Sequence, residues 1–280
     1  MGRRGERAPV VWLLGGLDPT GGAGILRDLW SARAVLPSAR VGAVVSAWTW
    51  QGGGAKARSE ARPRAKIVAE LAALPRPDAV KVGLLPAQLL VEGVGEALIA
   101  AARGAPIVVD PVLVASDGGD LGAGVGRLRD LTSAVTLVTP NVPEARALVG
   151  EGEREEGGAA PEFGGLLERL AAIHPRRGAG TAWLLKGGHA PADDRDRVVI
   201  DHLWADGRLS AYRRPRQPGP DPRGTGCALA TAIACSLARG RSLEDSVGEA
   251  IAWLDRARLA WRRGRDGRPH LPVAPAPPGV

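Results

Sequence analysis

Residues 9–36 read PVVWLLGGLDPTGGAGILRDLWSARAVL. Pro9–Gly16 is a short continuous apolar run closed by glycine, as a parallel strand buried on both faces would be. Asp18–Gly24 is a loop of small residues, and Ala23–Leu36 carries a helical pattern. The same order recurs. Val41–Trp48, Ala79–Leu85, Pro106–Asp110, Val135–Val138 and Thr181–Lys186 read as strands. Ala65–Leu74, Gln88–Ala102, Leu121–Leu131, Val142–Val149 and Phe163–Ile173 read as helices, with Gln88–Ala102 as one long amphipathic helix. Val198–Trp204 and Ser210–Arg214 form a hairpin around Ala205-Asp206-Gly207. Gly226–Arg239 and Ser242–Arg262 close the chain as helices. Repeated strand-then-helix units predict an α/β fold with a doubly wound, mostly parallel sheet flanked by helices. The expected organisation is a single domain over 9–264, after a disordered segment 1–8 and before a Pro-rich tail 265–280, frayed over Ala274–Val280.

Composition narrows the class. The chain has 280 residues, 45% hydrophobic and 24% charged, which suits one large globular domain and not a disordered chain. No apolar stretch approaches the roughly 20 residues of a spanning helix. The basic, polar residues before Pro9 do not read as a secretory signal. With only Cys227 and Cys235, a disulfide framework is not expected, and a cytoplasmic location is. Lys and Arg total 37 against 30 acids, a net charge of +7. Only Lys56, Lys66, Lys81 and Lys186 are lysines. The arginines are scattered and not interleaved with stacking aromatics, so a nucleic-acid partner is not expected.

In doubly wound sheets, ligands bind beyond the carboxyl ends of the strands. The polar and Gly-rich segments fall there: Asp18–Gly24, Gln51–Gly54, Asp110–Gly119, Thr139–Glu144, Lys186–His189 and Gly224–Cys227. Arg223-Gly224-Thr225-Gly226-Cys227 opens a helix, and small residues there let N–H groups converge on an anion. Cys227 falls in the first turn, where a helix end favours a thiolate. Spacing alone leaves that reading level with a tight turn carrying a packed cysteine. Cys235, two turns further on, reads as core. Asp110, with Asn141 and Glu144 after the next strand, can order Mg²⁺ through water. Each alone also reads structurally, Asn141 as a helix cap and Glu144 as a partner of the helix dipole. Lys186 offers a cation to a phosphate. No Walker A and no GxGxxG after the first strand is present. Trp48 and Trp50 share one face of their strand, either as packing or as a stacking surface for a planar ligand, and Gln51 takes the other face. His174, His202 and His270 have no metal spacing and read as structural or exposed.

GGLDPTGGAGILRD, VKVGLL, VVDPVLVASDGGDL, LVTPNVPEA, LLKGGH and GTGCALATAIA stand in the order of the ribokinase-like superfamily. From about Val10 to Trp261 the chain resembles the hydroxymethylpyrimidine/phosphomethylpyrimidine kinases of thiamine biosynthesis. Cys227 marks that branch and some pyridoxal kinases, where most relatives carry Asp. The resemblance implies ATP-dependent, Mg²⁺-assisted phosphorylation of 4-amino-5-hydroxymethyl-2-methylpyrimidine and its monophosphate, by a homodimer. It places the pyrimidine near Gly16, Ala23, Asp28, Gln51, Leu84 and Val112. It puts Gly224, Gly226 and Cys227 at phosphoryl transfer, Lys186, Asn141 and Thr225 on ATP, and Asp110 and Glu144 on the metal. Departures include Gly52–Gly54 after Gln51, bulky Trp48 and Trp50, Leu84 for a common Met, Arg223 before GTGC where His is frequent, and the order of Ala115–Asp120. The rival readings are a pyridoxal-type kinase of the same fold and a non-catalytic pyrimidine-binding regulator.

Overall fold

The computed structural model describes residues 7–50, 58–113, 124–151, 163–173, 180–188 and 198–273. Its elements begin β1 (Val10–Leu17), α1 (Gly24–Val35), β2 (Arg40–Trp50), β3 (Arg58–Ala61), α2 (Arg64–Ala73), β4 (Ala79–Val82), α3 (Ala87–Val91) and α4 (Val94–Ala102). They continue β5 (Ile107–Val109), α5 (Val125–Thr132), β6 (Leu137–Val138), α6 (Val142–Leu148), α7 (Phe163–Ala172) and β7 (Ala182–Leu185). The last are β8 (Val198–Ala205), β9 (Arg208–Pro215), α8 (Thr225–Leu237), α9 (Leu243–Leu259), β10 (Arg262–Arg263) and β11 (Pro269–His270).

Among the described residues the main sheet has nine strands in the order β3-β2-β1-β4-β5-β6-β7-β8-β9. From β2 to β7 every neighbour is parallel; β3, β8 and β9 run antiparallel at the two edges. The chain leaves β1 toward β2, then returns to place β4 on the other side of β1. Connections therefore diverge at the β1/β4 boundary, the switch point where such sheets open a crevice.

Strand alternation assigns the two faces. Val10, Trp12 and Leu14 of β1, with Val80 and Val82 of β4, face one core closed by Ile67, Leu98, Leu131, Leu148 and Leu167 of the helices on that side. Val11 and Leu13 face α1. Ala79, Val108, Leu137 and Leu184 face α8 and α9. Nearly every β1 and β4 side chain is buried on both faces, which is why those strands read as unbroken apolar runs.

The structure departs from the sequence reading in four places. Gln88–Ala102 is two helices, because Gly93 between them adopts φ +83 and the axis turns there. The strand reading missed β3, a short polar segment that pairs with β2 from Ala47 to Trp50. Residues 265–273 are not a tail: β10 and β11 pair, Leu271 is buried, and the Pro272 carbonyl accepts from Arg27 Nη1 at 3.0 Å. At the other end Arg7, inside the stretch expected to be disordered, pairs with Asp78. Residues 1–6, 152–162 and 274–280 lie outside the described residues.

Gly93→Ala distinguishes a broken helix from a continuous one by sign. A broken helix loses about 1 kcal/mol, since alanine must hold a left-handed φ. A continuous helix gains about 1 kcal/mol. Urea unfolding of the variant is expected to show the loss.

Candidate active site

The site grows from the loop after β1. Asp18 is buried and organises the loop by itself. Its Oδ1 accepts the Thr20 amide at 2.9 Å and the Thr20 hydroxyl at 2.8 Å, and its Oδ2 accepts the Ala23 amide at 3.1 Å. The Arg223 guanidinium donates to the same Oδ2 at 3.1 Å. That contact ties the loop to the turn that opens α8. The loop and the turn each need one position without a side chain. A Cβ on Gly24 would stand 2.3 Å from the Gly16 carbonyl, and one on Gly224 2.2 Å from the Gly22 carbonyl; both residues have positive φ. The Gly24 amide donates to Cys227. Gly224, Thr225, Gly226 and Cys227 are all partly exposed, so the amides of the first turn of α8 face the crevice.

Arg223 is held from behind. Its second nitrogen donates to Asp266 at 2.8 Å, and Asp266 also meets His270 at 2.9 Å. The residue that replaces the expected histidine is thus buried structure, not a ligand contact. His270, read as tail, is part of that support.

Asp110, Glu144 and Lys186 converge next to it. Lys186 Nζ lies 3.0 Å from Asp110 Oδ1 and 3.8 Å from Glu144 Oε2. Thr139 Oγ1 is 3.4 Å from Asp110 Oδ1. A Cβ on Gly226 would fall 3.2 Å from Lys186 Nζ and 3.4 Å from both Asp110 oxygens. Glycine there leaves a cradle between helix start, cation and carboxylate. Asn141 does what its structural reading expected: its side chain accepts the Glu144 amide at 2.8 Å, and Glu144 Oε2 accepts the Asn141 amide at 2.8 Å. The cap fixes the carboxylate, as the helix-end reading of Glu144 expected.

Electrostatics follow from burial. Burial pushes the Glu144 carboxyl up to about 7; Lys186 opposes and Asp110 adds to it. Burial also opposes the charge of Asp110, but Lys186 and Lys81 outweigh it and hold Asp110 below the usual carboxylate range. The surroundings of Cys227 work against the thiolate reading. Burial pushes the thiol up to about 12, and the thiol donates to Asp110. Desolvation exceeds what one helix end supplies. Cys235 is core, as expected.

The acceptor side divides. Gly16, Thr49 and Leu84 are in contact: a Cβ on Gly16 would meet Leu84 Cδ2 at 2.9 Å and Thr49 Cγ2 at 3.0 Å. Ala23 and Val112 are partly exposed. Asp28 does not join this group. It is 0% exposed and both its oxygens are engaged, one by Lys81 at 2.7 Å and one by the Thr231 hydroxyl at 2.9 Å. A ligand cannot reach it. Trp48 and Trp50 are each about two-fifths exposed on the face opposite Thr49, so they form no stacking wall over Gly16. Arg58 instead lies over the Trp50 ring. Gln51, the Gly52–Gly54 departure, Ala115–Asp120 and His189 lie outside the described residues. Sequence reasoning missed Lys81, Thr49 and Asp266. A lone lysine in the apolar strand AVKV was the available signal for Lys81.

Comparison with known proteins places this geometry. A family model described as phosphomethylpyrimidine kinase matches residues 18–273. The chain is similar to a thiamine biosynthesis multifunctional protein of Corynebacterium efficiens, 30% identical over 255 residues, 89% of this chain and 32% of that protein. It is similar to the hydroxymethylpyrimidine/phosphomethylpyrimidine kinase of Streptomyces coelicolor, 34% identical over 246 residues, 85% of this chain and 84% of the relative. Among the first curated relatives it matches, the chain spans from 32% to 53% of their length. The structure of Staphylococcus aureus pyridoxal kinase in complex with AMP-PCP and pyridoxal superposes with a TM-score of 0.78 at 21% identity, covering 95% of this chain and 93% of that one. That likeness concerns the fold, which is ribokinase-like. With the family model covering nearly the whole described core, the chain belongs to the phosphomethylpyrimidine kinase family.

Proposed function

We propose that the protein is an ATP-dependent kinase of thiamine biosynthesis. It transfers phosphate to 4-amino-5-hydroxymethyl-2-methylpyrimidine and to its monophosphate. The observation that carries this is the cradle at Gly226, set between the opened first turn of α8 and the Asp110–Lys186–Glu144 cluster. Amides and an ammonium converge where a transferring phosphoryl group needs donors. The acceptor surface of Gly16, Thr49 and Leu84 lies across the same crevice.

Phosphoryl transfer needs alignment more than covalent chemistry. Lys186 attracts the phosphates of the nucleotide, and Thr225 and Asn141 line its approach. The α8 amides take the charge that grows on the phosphoryl oxygens. Cys227, as a thiol, is no base at neutral pH; it holds its place by donating to Asp110 and accepting from Gly24. An alcohol attacking a loose transition state needs little base help, so its proton leaves late.

Asp110 and Glu144 suit a hard cation: both are buried carboxylates beside the cradle, and burial, which raises Glu144, is what a bound cation would offset. Among the described residues no group of three or more metal-binding side chains gathers, and a cation held by Asp110 and Glu144 would take further oxygens from phosphate and water. Bound there, Mg²⁺ would neutralise phosphate charge. Among the described residues no helix is long and apolar enough to cross a membrane, in keeping with the cytoplasmic location we assign. The homodimer rests on family resemblance alone.

The test is ATP-dependent phosphorylation with mono- and diphosphate products resolved. Hydroxymethylpyrimidine and its phosphate are expected to be turned over, and pyridoxal at least about tenfold less well. Preference for pyridoxal would assign the rival kinase, and ATP binding without any turnover the regulator. Gly226→Ala fills the cradle and is expected to lower kcat/KM roughly hundredfold while the melting temperature hardly moves. Wild-type turnover in that variant would remove the cradle from the reaction.

Glu144 predicts a pH signature in the metal-free protein. Its folded pKa lies above the unfolded one, so the stability it adds is complete below the ordinary glutamate value and is lost as pH rises through about 7. Thermal melts from pH 4.5 to 8 are expected to show that decline, and Glu144→Gln to remove it. An unchanged decline in the variant would assign it to other groups.

A further inference from the structure

Among the described residues, one ion pair has both side chains fully buried, and the reaction above does not use it. Lys81, in the middle of β4, and Asp28, on α1, are both 0% exposed and meet at 2.7 Å. Three features show that the fold is arranged around them. A Cβ on Gly83 would fall 2.6 Å from Lys81 Nζ, so the glycine of VKVG leaves the room the ammonium occupies. The second Asp28 oxygen accepts the Thr231 hydroxyl at 2.9 Å. Thr231 follows Cys227 by four residues, one helical turn along the same face of α8.

We infer that Lys81 is a positioning residue of the phosphoryl-transfer site, keeping a fixed positive charge beneath the first turn of α8 while Asp28 anchors the helix one turn further on through Thr231. The inference rests on the kinase reading above. Cys227 and Asp110 both favour the charged form of Lys81, so the ammonium acts on the residues at the cradle as well as on Asp28. Stability does not explain the pair. Taking two charges out of water costs several kcal/mol, and apolar pairs of similar volume are often as stable or more so. A charge held dry under a turn where negative charge grows in the transition state is worth more than it is in water.

The experiment compares wild type with the double variant Lys81→Met/Asp28→Leu, which keeps volume and removes both charges. The expected melting temperature is no lower than wild type, and affinity for ADP with Mg²⁺ stays within about twofold. The expected kcat is lower by about tenfold or more, with KM for ATP little changed. A kcat within about twofold of wild type, in a folded double variant, overturns the inference, because a purely structural pair is replaceable. If the double variant does not fold, Lys81→Met alone is read the same way, since burial already favours the neutral form of Asp28. A wild-type protein inactive toward every acceptor overturns the kinase reading, and the inference with it. An active wild type matched by an equally active variant overturns the inference alone.

Discussion

The whole carboxyl edge of the sheet depends on how closely the start of α8 approaches the loop after β1. Backbone touches backbone there, through Gly224 at the Gly22 carbonyl, while Gly24 at the Gly16 carbonyl folds the loop itself. Asp18 and Arg223 bridge the same two segments. Because Gly224 has no Cβ, the start of α8 can close on that loop. A side chain there would push α8 away from the loop, and with it Gly226 away from Lys186.

That approach also explains the order of charges. From the buried side outward, Asp28, Lys81, Asp110, Lys186 and Glu144 alternate in sign. Each charge is offset by the next, which lets so many ionised groups sit nearly dry. The alternation ends at Glu144, whose carboxyl is raised by burial more than Lys186 lowers it. The C-terminal hairpin supports the arrangement from outside, with Asp266 and His270 behind Arg223.

Much of this was legible in the residues. The apolar runs of β1, β4 and β5 and the glycines at their ends gave the sheet and the edge on which the site sits. Asp110, Glu144, Lys186 and Gly226 were named from position and do come together. What was not legible turned on tertiary context. Whether Cys227 is a thiolate depends on how much protein covers it, which spacing cannot reveal. Asp28 reads like a ligand contact until Lys81 is seen against it from a different strand. β3 is a polar edge strand, held by pairing with β2, and carries no apolar pattern to find. The hairpin β10–β11 lies in an Arg- and Gly-rich stretch and is fixed by Arg223, over 35 residues earlier in sequence.

The central claim is that phosphate is transferred at the junction of the β1 loop and the α8 turn. The most direct measurement is a crystal structure with Mg²⁺, a non-hydrolysable ATP analogue and hydroxymethylpyrimidine. The account predicts the terminal phosphate on the amides of Gly226 and Cys227, Lys186 turned from Asp110 toward it, and the hydroxymethyl group between Gly16 and Cys227. A terminal phosphate bound away from Gly224–Cys227, with the Lys186–Asp110 contact intact, would contradict it.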